Sequence, residues 1–525
     1  MVRDIGPLLH PLIFVRGYAG TEGAIEEAVS DPYMGFNTGS TKLRQLWTGQ
    51  VKRHYFESPL VRLMKEFGYR DAYVAGLDQL LDSDRAEKLP RQCVVIHRYY
   101  ERASAAFGED RQVTIEEFAE GLNELIETLR DRVDMAGRDP KDFRVNLAAH
   151  SMGGLIIRCF LQNDAVGKPQ TKALVDKVFT YATPHNGIEL EVLGNVPNVV
   201  SAGSANNFNR KRMREYLGLS EAAERVDSLD GKFDPDRFFC LIGTNPKDYP
   251  VGGGLVARAA GPFSDGLVRL YNAAVSGPPD NPSKPTRWAP RAFVHRSHSG
   301  PYGIVNSEEG YQNLRRFLFG NVRVDGVLDV AALTLPEEVE AMRTAGRQVR
   351  ASYHFECISR VRGATWDLSR RVATENSTVF RKYGELFPDQ ARDIDRAAHA
   401  RPELLTAYLD SDARVDSARP SLGFAVDVGV LVPDYTVDGV LWLKNHYAGG
   451  YLFRDKVNLE ALPPSDSEPG WRLRYGFDSR TPNRATDFAA CTEVDGRVEF
   501  RIPIVQKSRP GIEATLIITA RAWNG

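Results

Sequence analysis

The stretch FRVNLAAHSMGGLIIRCFLQN, residues 143–163, constrains the fold more than any other part of the sequence. The apolar run before Ser151 is typical of a buried strand, and the residues after it are apolar at helical spacing. Ala149 and Gly153 are small enough for a tight turn on either side of the serine. The backbone N–H of Met152 would lie at a helix N-terminus, where the helix dipole favours negative charge. The pattern predicts a serine nucleophile, although a serine that merely caps a helix remains an alternative on this stretch alone.

The first 320 residues alternate strand-like runs with helical patterns. The longest helical pattern begins with a capping box formed by Thr114 and Glu117, and its apolar residues recur at helical spacing. Strand-like runs on either side of such helices predict a mostly parallel sheet with helices on its faces. The alternation is interrupted over residues 188–235, which mix small, polar and basic residues. A long insertion of this kind favours a lid or binding loop over mere decoration.

The composition changes near residue 322, where alternating apolar and polar runs separated by turn residues take over. This pattern predicts a mostly antiparallel, sandwich-like β domain over 323–525, after a catalytic α/β domain over 1–322. At 525 residues the chain exceeds what one hydrophobic core normally serves. Its 67 Lys and Arg residues balance 69 Asp and Glu residues, which argues against a nucleic-acid partner.

Several other classes of site find no support. The five cysteines are scattered, and the sequence has no HExxH, no P-loop and no clustered carboxylates, so we expect neither a metal nor a cofactor. The glycine-rich VGGGL at 251–255 is expected to be a flexible loop. Neither a cleavable leader nor an apolar run long enough for a membrane span is visible, which favours a cytoplasmic protein. Export by a route that reads no leader stays open.

Three segments together resemble the α/β-hydrolase fold: HPLIFVRGYAG near the start, AHSMGG around Ser151, and YATPHNG after the next strand. They are similar to its lipase-like branch, which includes bacterial triacylglycerol lipases, lecithin–cholesterol acyltransferase and GPI inositol-deacylase. The resemblance covers residues 10–320. It implies an oxyanion hole formed by the backbone N–H groups of Tyr18, which follows Gly17, and Met152. Arg16 and Ala149 depart from the family pattern without removing a catalytic group.

The family order of catalytic residues is serine, acid, histidine. Asp265, in FSDGLVRLYNA, resembles the acid of the lipase motif. Asp248 is the alternative, because it directly follows the apolar run RFFCLIGT and some hydrolases place the acid there. Asp280 lies among prolines and glycine and is expected to be a solvated loop residue.

The base is expected to be His298, in the loop after RAFV, whereas His295 is interpreted as a structural histidine of that strand. His150 is expected to pack or to orient the turn at the serine. His185, in the segment TPHNG, is expected to be structural or a hinge of the lid.

The resemblance implies a serine hydrolase that cleaves carboxylic esters of a lipid through Ser151, His298 and Asp265. The expected partners are the ester substrate and, transiently, a membrane surface. An acyltransferase using the same residues, or an esterase toxin or defence effector targeted by the C-terminal domain, remains an alternative. A non-catalytic scaffold is disfavoured by the complete set of residues in the family order.

Overall fold

The computed structural model describes most of the chain in two compact units. The described residues are 9–18, 22–45, 49–72, 88–104, 113–189, 192, 206–249, 251–277, 287–362, 364–387, 400–413, 421–438, 444–494 and 496–524. The first unit comprises Met1–Pro279, Thr286–Arg291 and His295–Leu318. The second comprises Asp280–Pro285, Ala292–Val294 and Phe319–Gly525.

A seven-stranded sheet in the order β4-β5-β1-β6-β7-β8-β9 forms the centre of the α/β part of the chain. Its strands are Leu12–Val15 (β1), Arg70–Asp71 (β4), Cys93–Ile96 (β5), Val145–His150 (β6), Val175–Tyr181 (β7), Phe238–Gly243 (β8) and Arg291–Val294 (β9). Ser40–Gln45 (β2) and Val51–Phe56 (β3) form a separate antiparallel hairpin. The strand pairings from β4 to β8 are all parallel. Parallel strands need helical crossovers that cover both faces, so the interior strands are mostly buried and mostly apolar.

Helices flank this sheet as the alternation predicts. They are Glu22–Ser30 (α1), Pro59–Phe67 (α2), Ile115–Arg132 (α3), Met152–Gln162 (α4), Pro169–Lys172 (α5), Arg210–Leu217 (α6), Leu255–Ala260 (α7) and Glu308–Phe319 (α8). Thr114 and Glu117 form the predicted capping box of α3, whose apolar stripe is buried. Every residue of α4 is buried, which explains why this helix is apolar nearly all round.

The register of the central strands brings three strand ends to one edge of the sheet. Ala149 of β6 lies beside Val15 at the end of β1 and beside Thr180 of β7. Because parallel strands share their direction, the residues that follow β1, β6 and β7 emerge together. This edge is where ligands bind in open α/β sheets.

The second unit is mostly antiparallel β-structure. Its strands are Val322–Thr334 (β10), Val349–Val361 (β11), Ser369–Arg371 (β12), Val379–Lys382 (β13), Glu403–Leu409 (β14), Leu422–Asp438 (β15), Lys444–Leu462 (β16), Arg472–Phe477 (β17), Asp487–Phe488 (β18), Ala490–Val494 (β19), Arg497–Gln506 (β20) and Gly511–Ala522 (β21). One sheet has the order β14-β10-β21-β20-β19. The other has the order β12-β11-β15-β16-β17-β18, with β13 also paired to β11. Two short helices, Glu337–Thr344 (α9) and Tyr383–Leu386 (α10), accompany them.

Buried side chains from both sheets of the second unit join in one hydrophobic core, as in a β-sandwich. The predicted fold class, an α/β part followed by a β-rich part, is therefore confirmed. One local prediction was wrong: the segment VGGGL is not a loop, because Val251–Gly254 forms a 3-10 turn that leads into α7. Gly254 adopts a left-handed conformation at φ 86°, which lets this glycine-rich segment begin a helix. Part of the predicted lid, residues 190–191 and 193–205, lies outside the described residues.

Candidate active site

Ser151 occupies the corner between β6 and α4 in a strained backbone conformation. Its φ of 51° and ψ of −124° are rare for a residue with a side chain. Its N–H donates to the carbonyl of Tyr181 at 2.9 Å, so the neighbouring strand β7 holds the turn. The Ser151 side chain makes no capping hydrogen bond to α4. The alternative in which the serine serves as a helix cap therefore has no structural support.

The two glycines after Ser151 allow the helix to start close to the sheet. A Cβ atom on Gly153 would lie 2.3 Å from the carbonyl oxygen of Val15, and one on Gly154 would lie 2.3 Å from Thr183 Oγ1. Both distances are far below van der Waals contact, so neither position accepts a side chain. Thr183 Oγ1 donates to the carbonyl of Ser151 at 2.8 Å and fixes the strained residue from the other side.

The loop after β1 lies directly against the serine. A Cβ atom on Gly17 would lie 2.8 Å from Ser151 Cβ, so only glycine lets this backbone approach so closely. The hydroxyl of Tyr99 lies 2.8 Å from the carbonyl oxygen of Arg16 and 3.1 Å from that of Gly17, and donates to this pair. The Tyr18 ring packs edge-to-face on Phe208 with ring centroids 5.8 Å apart. These contacts hold the backbone of the predicted oxyanion loop next to the nucleophile position.

A continuous chain of hydrogen bonds joins the three predicted triad residues. Ser151 Oγ lies 2.9 Å from His298 Nε2, and His298 Nδ1 lies 2.9 Å from Asp265 Oδ2. All three side chains are buried. Because the carboxylate only accepts hydrogen bonds, Nδ1 carries the proton and Nε2 is free to accept from the serine hydroxyl. This is the tautomer that a general base at serine requires.

Asp265 is held by its own turn. Its Oδ1 accepts from the backbone N–H groups of Leu267, at 3.0 Å, and Val268, at 2.8 Å. Its backbone carbonyl accepts from the N–H of His298 at 2.9 Å, so base and acid are joined through backbone as well as side chain. Gly266 has a φ of 104°, and a Cβ there would lie 2.3 Å from Tyr249. The turn that aims the carboxylate therefore depends on a glycine.

The alternative acid lies elsewhere. Asp248 is exposed, and its Oδ2 accepts from Asn245 Nδ2 at 2.6 Å rather than from a histidine. Asp280 lies outside the described residues. His295 follows β9, is exposed, and has its Nδ1 3.3 Å from Thr244 Oγ1. Of the candidate acids and bases, the structure thus brings Asp265 and His298 to Ser151.

Two further histidines near the site, the half-buried His150 and the fully buried His185, are held neutral. Burial and the neighbouring His298 lower the pKa of His150 to about 3. Burial lowers the pKa of His185 well below its ordinary value. The Thr180 hydroxyl lies 3.1 Å from His185 Nε2 and donates to the Phe239 carbonyl at 3.2 Å. His185 therefore has a structural environment, with no contact to the triad among the hydrogen bonds described.

Arg158, on the helix α4 that follows Ser151, makes hydrogen bonds near both ends of the predicted lid. This fully buried guanidinium donates to the carbonyl of His185, before the insertion, at 2.8 Å. It also donates to Val226 and Ser228, near the end of the insertion, at 2.7 and 2.8 Å. Burial lowers the pKa of Arg158 to about 10, although nearby Asp227 opposes the shift. At neutral pH the side chain is therefore a charged clamp on three carbonyl groups.

The sequence reasoning missed several of the residues that support the site. Tyr99 and Thr183 hold backbone carbonyls of the oxyanion loop and the serine corner, and Arg158 clamps the insertion. Thr183 lies in YATPHNG, one of the three segments that resemble the α/β-hydrolase fold, but the sequence predicts no role for the threonine side chain. Arg158 carried a signal of its own, since a charged residue in an otherwise apolar helix indicates a buried partner.

Other kinds of site find little support in the described parts of the chain. No group of three or more His, Cys, Asp or Glu side chains is placed to hold a metal ion within the ranges that the structure covers. In the same ranges, each helix is too short or too polar to cross a lipid bilayer.

The sequence matches no protein-family model and no curated protein. Among solved structures, the mature form of Bacillus licheniformis lipase BlEst2 is similar at 15% identity, covering 58% of this chain and 91% of that one, with a TM-score of 0.29. The propeptide form of the same lipase is similar at 11% identity, covering 85% and 98%, with a TM-score of 0.30. Because these scores are low, we base the fold on its own strand order and the chemistry on the geometry at Ser151.

Proposed function

We propose that this protein is a serine hydrolase of carboxylic esters. The observation that carries the proposal is the unbroken path from the strained, buried Ser151 through His298 to the fixed carboxylate of Asp265. A serine hydroxyl is a weak nucleophile until a base removes its proton, and the base needs an acid to orient it. The three groups occur in the order serine, acid, histidine that the resemblance to the α/β-hydrolase fold implies.

In the proposed reaction, Ser151 Oγ attacks the ester carbonyl while its proton passes to His298 Nε2. Asp265 keeps the proton on Nδ1 and stabilises the positive imidazolium that results. The tetrahedral intermediate collapses to an acyl-enzyme as His298 returns its proton to the departing alkoxide. Water, deprotonated by the same nitrogen, then attacks the acyl group and releases the carboxylic acid.

The oxyanion of the tetrahedral intermediate would be bound by the backbone N–H groups of Met152 and Tyr18. Met152 is the first residue of α4, so its N–H is one of the donors that a helix leaves without an internal partner. Tyr18 follows Gly17, whose backbone lies so close to the serine that a Cβ on it would be 2.8 Å from Ser151 Cβ. Removing one such donor lowers kcat by roughly 10²–10³-fold in serine hydrolases.

We further propose that the ester belongs to a lipid. Leu255 and Phe263 precede Asp265 in the chain and are 54% and 55% exposed, while Tyr302 follows His298 and is 37% exposed. Exposed large apolar side chains on the segments that precede the acid and follow the base favour an apolar substrate or a lipid surface. The lipid substrate is a second proposal, added to the proposed hydrolysis of carboxylic esters, and a separate measurement can test it.

The experiment is a fluorophosphonate labelling assay on the wild type and on Ser151→Ala, combined with hydrolysis of p-nitrophenyl esters and phospholipids. We expect labelling and turnover in the wild type and neither in the variant. Equal labelling of the variant would contradict the nucleophile assignment. Activity on short esters alone would contradict the lipid substrate. Transfer of the acyl group to an added alcohol, in place of hydrolysis, would identify an acyltransferase.

A further inference from the structure

His150 lies between the two loops that build the proposed site. It is the last residue of β6, and its Nε2 lies 2.9 Å from the backbone carbonyl oxygen of His298. A carbonyl oxygen can only accept, so Nε2 of His150 must carry the proton and donate. On the other side of the ring, Nδ1 lies 3.0 Å from where a Cβ of Gly17 would be. One imidazole therefore donates to the base loop and lies close enough to the oxyanion loop to leave little room for a side chain at Gly17.

Three of the hydrogen bonds in the described part of the chain hold the backbone and the Nδ1 atom of His298. Its N–H donates to the Asp265 carbonyl and its Nδ1–H donates to the Asp265 carboxylate, both at 2.9 Å. Both of these bonds run to Asp265. The third bond, from His150 Nε2, holds the backbone carbonyl on the C-terminal side of His298. The rings of His150 and His298 also pack at 5.0 Å between centroids, tilted by 45°.

We propose that His150 is a positioning residue for this hydrolase, a neutral donor that holds the backbone of His298 so that Nε2 stays within reach of Ser151 Oγ. The role rests on the proposed function, because it concerns the rate of proton transfer from the serine. His150 does not touch the reacting atoms as acid or base. Its burial keeps it uncharged, so it adds no positive charge next to the imidazolium that forms during turnover.

The test compares His150→Leu, which removes the donor, with His150→Gln, whose amide N–H can still reach the carbonyl. We measure kcat and KM with a soluble p-nitrophenyl ester, dividing kcat by the fraction of protein that a fluorophosphonate labels. The leucine variant is expected to lose about tenfold in kcat, the effect of one hydrogen bond, with KM nearly unchanged. The glutamine variant should recover most of that loss.

The matched control is His354→Leu, because His354 of β11 is a half-buried histidine bonded to Thr378 in the second unit. Its substitution should leave kcat unchanged. Wild-type kcat per labelled site in His150→Leu, or equal losses in the leucine and glutamine variants, would overturn the positioning role. Failure of the proposed function would differ, since wild-type protein would then neither label nor turn over.

A second measurement does not depend on turnover. Nitrogen-15 NMR of labelled histidines in the wild type should show His150 as the neutral Nε2–H tautomer from pH 8 down to about pH 4. The His298 signals should broaden in His150→Leu and sharpen again in His150→Gln. An Nδ1–H tautomer at His150, or its protonation near pH 6.5, would refute the hydrogen bond on which the proposal depends.

Discussion

The parallel sheet of the first unit and the antiparallel sheets of the second differ in where they place serine and histidine side chains. In the first unit, Ser151 follows β6, and Asp265 and His298 follow β8 and β9, so residues distant in sequence meet beside one edge of the sheet. In the second unit, Ser359 and His354 lie within one strand, β11. Side chains of a strand alternate between its faces, so residues five apart point to opposite sides.

The consequence is visible in the partners that these side chains have. Ser359 is buried, and its hydroxyl has no hydrogen-bond partner within the described ranges, whereas His354 bonds to Thr378. The presence of serine and histidine is therefore not enough for nucleophilic catalysis. Strand ends favour the meeting of such side chains, because loops there can turn them toward each other, and parallel strands provide several such ends together.

The largest effect is expected from removing the serine at the strand end. Ser151→Ala should lower kcat by roughly 10⁴-fold or more, as for other triad nucleophiles. Ser359→Ala, the buried serine within a strand, should leave kcat unchanged. Ester hydrolysis under saturating substrate checks both. Comparable losses in the two variants would mean that the serine corner is not the reactive centre.

The choice of acid gives the next largest effect. Asp265→Asn should lower kcat by roughly 10⁴-fold, because an amide no longer fixes the Nδ1–H tautomer of the base. Asp248→Asn should change kcat by less than about threefold, since Asp248 is exposed and accepts a hydrogen bond from the nearby Asn245 side chain rather than from a histidine. A larger loss in the Asp248 variant would reverse the assignment made from the geometry.

The fully buried Arg158 of the first unit can be compared with the partly exposed Arg474 of the second. Arg158→Met leaves buried carbonyls without their donor and should reduce the unfolding free energy of the first unit by about 3 kcal/mol. Arg474→Met removes a partly exposed guanidinium that lies 3.9 Å from Glu460, and should change the stability of the second unit by less than about 1 kcal/mol. Urea unfolding followed by hydrogen exchange of peptides from each unit checks both values.

Glycine positions test how closely the oxyanion loop must approach. Gly17→Ala places a Cβ 2.8 Å from that of Ser151, and should lower kcat/KM by about 10²-fold through misplacement of Tyr18. Gly450→Ala, in the second unit, meets no atom within 4 Å and should leave kcat/KM unchanged. Wild-type kcat/KM in the Gly17 variant would mean that this loop does not form part of the oxyanion hole.

The smallest effect concerns pH. The folded pKa values of His150, about 3, and of His185 lie below the ordinary histidine value of 6.5. The unfolded chain therefore takes up protons at pH values where the folded chain does not, so stability is complete above pH 6.5 and falls as the pH falls below it. At pH 5 the first unit should lose about 1–2 kcal/mol for each such histidine.

This loss of unfolding free energy is measured in a Ser151→Ala background. Hydrogen exchange is compared at pH 7.5 and pH 5, with a correction for the intrinsic pH dependence of exchange. His150→Gln in that background should reduce the loss in the first unit and leave the second unit unaffected. An identical pH dependence with and without His150 would contradict the low pKa of its imidazole.

The local elements could be predicted from the sequence because their causes are local. The strand before Ser151, the apolar helix after it, the capping box at Thr114 and the alternating strands beyond residue 322 depend on side-chain periodicity and on neighbouring residues. The helical state of VGGGL could not be predicted in this way, since glycine has little preference of its own and the surrounding structure decided it.

The sequence by itself determined the fold class and the serine corner, together with a short set of possible acids and bases. Only the tertiary structure decided among them. Asp248 and Asp265 both follow β8, but the turn at Gly266 aims one carboxylate at His298 while the other remains at the surface. The bond from His150 to the base was equally invisible, because it joins residues 148 positions apart whose distance depends on the packing of whole strands.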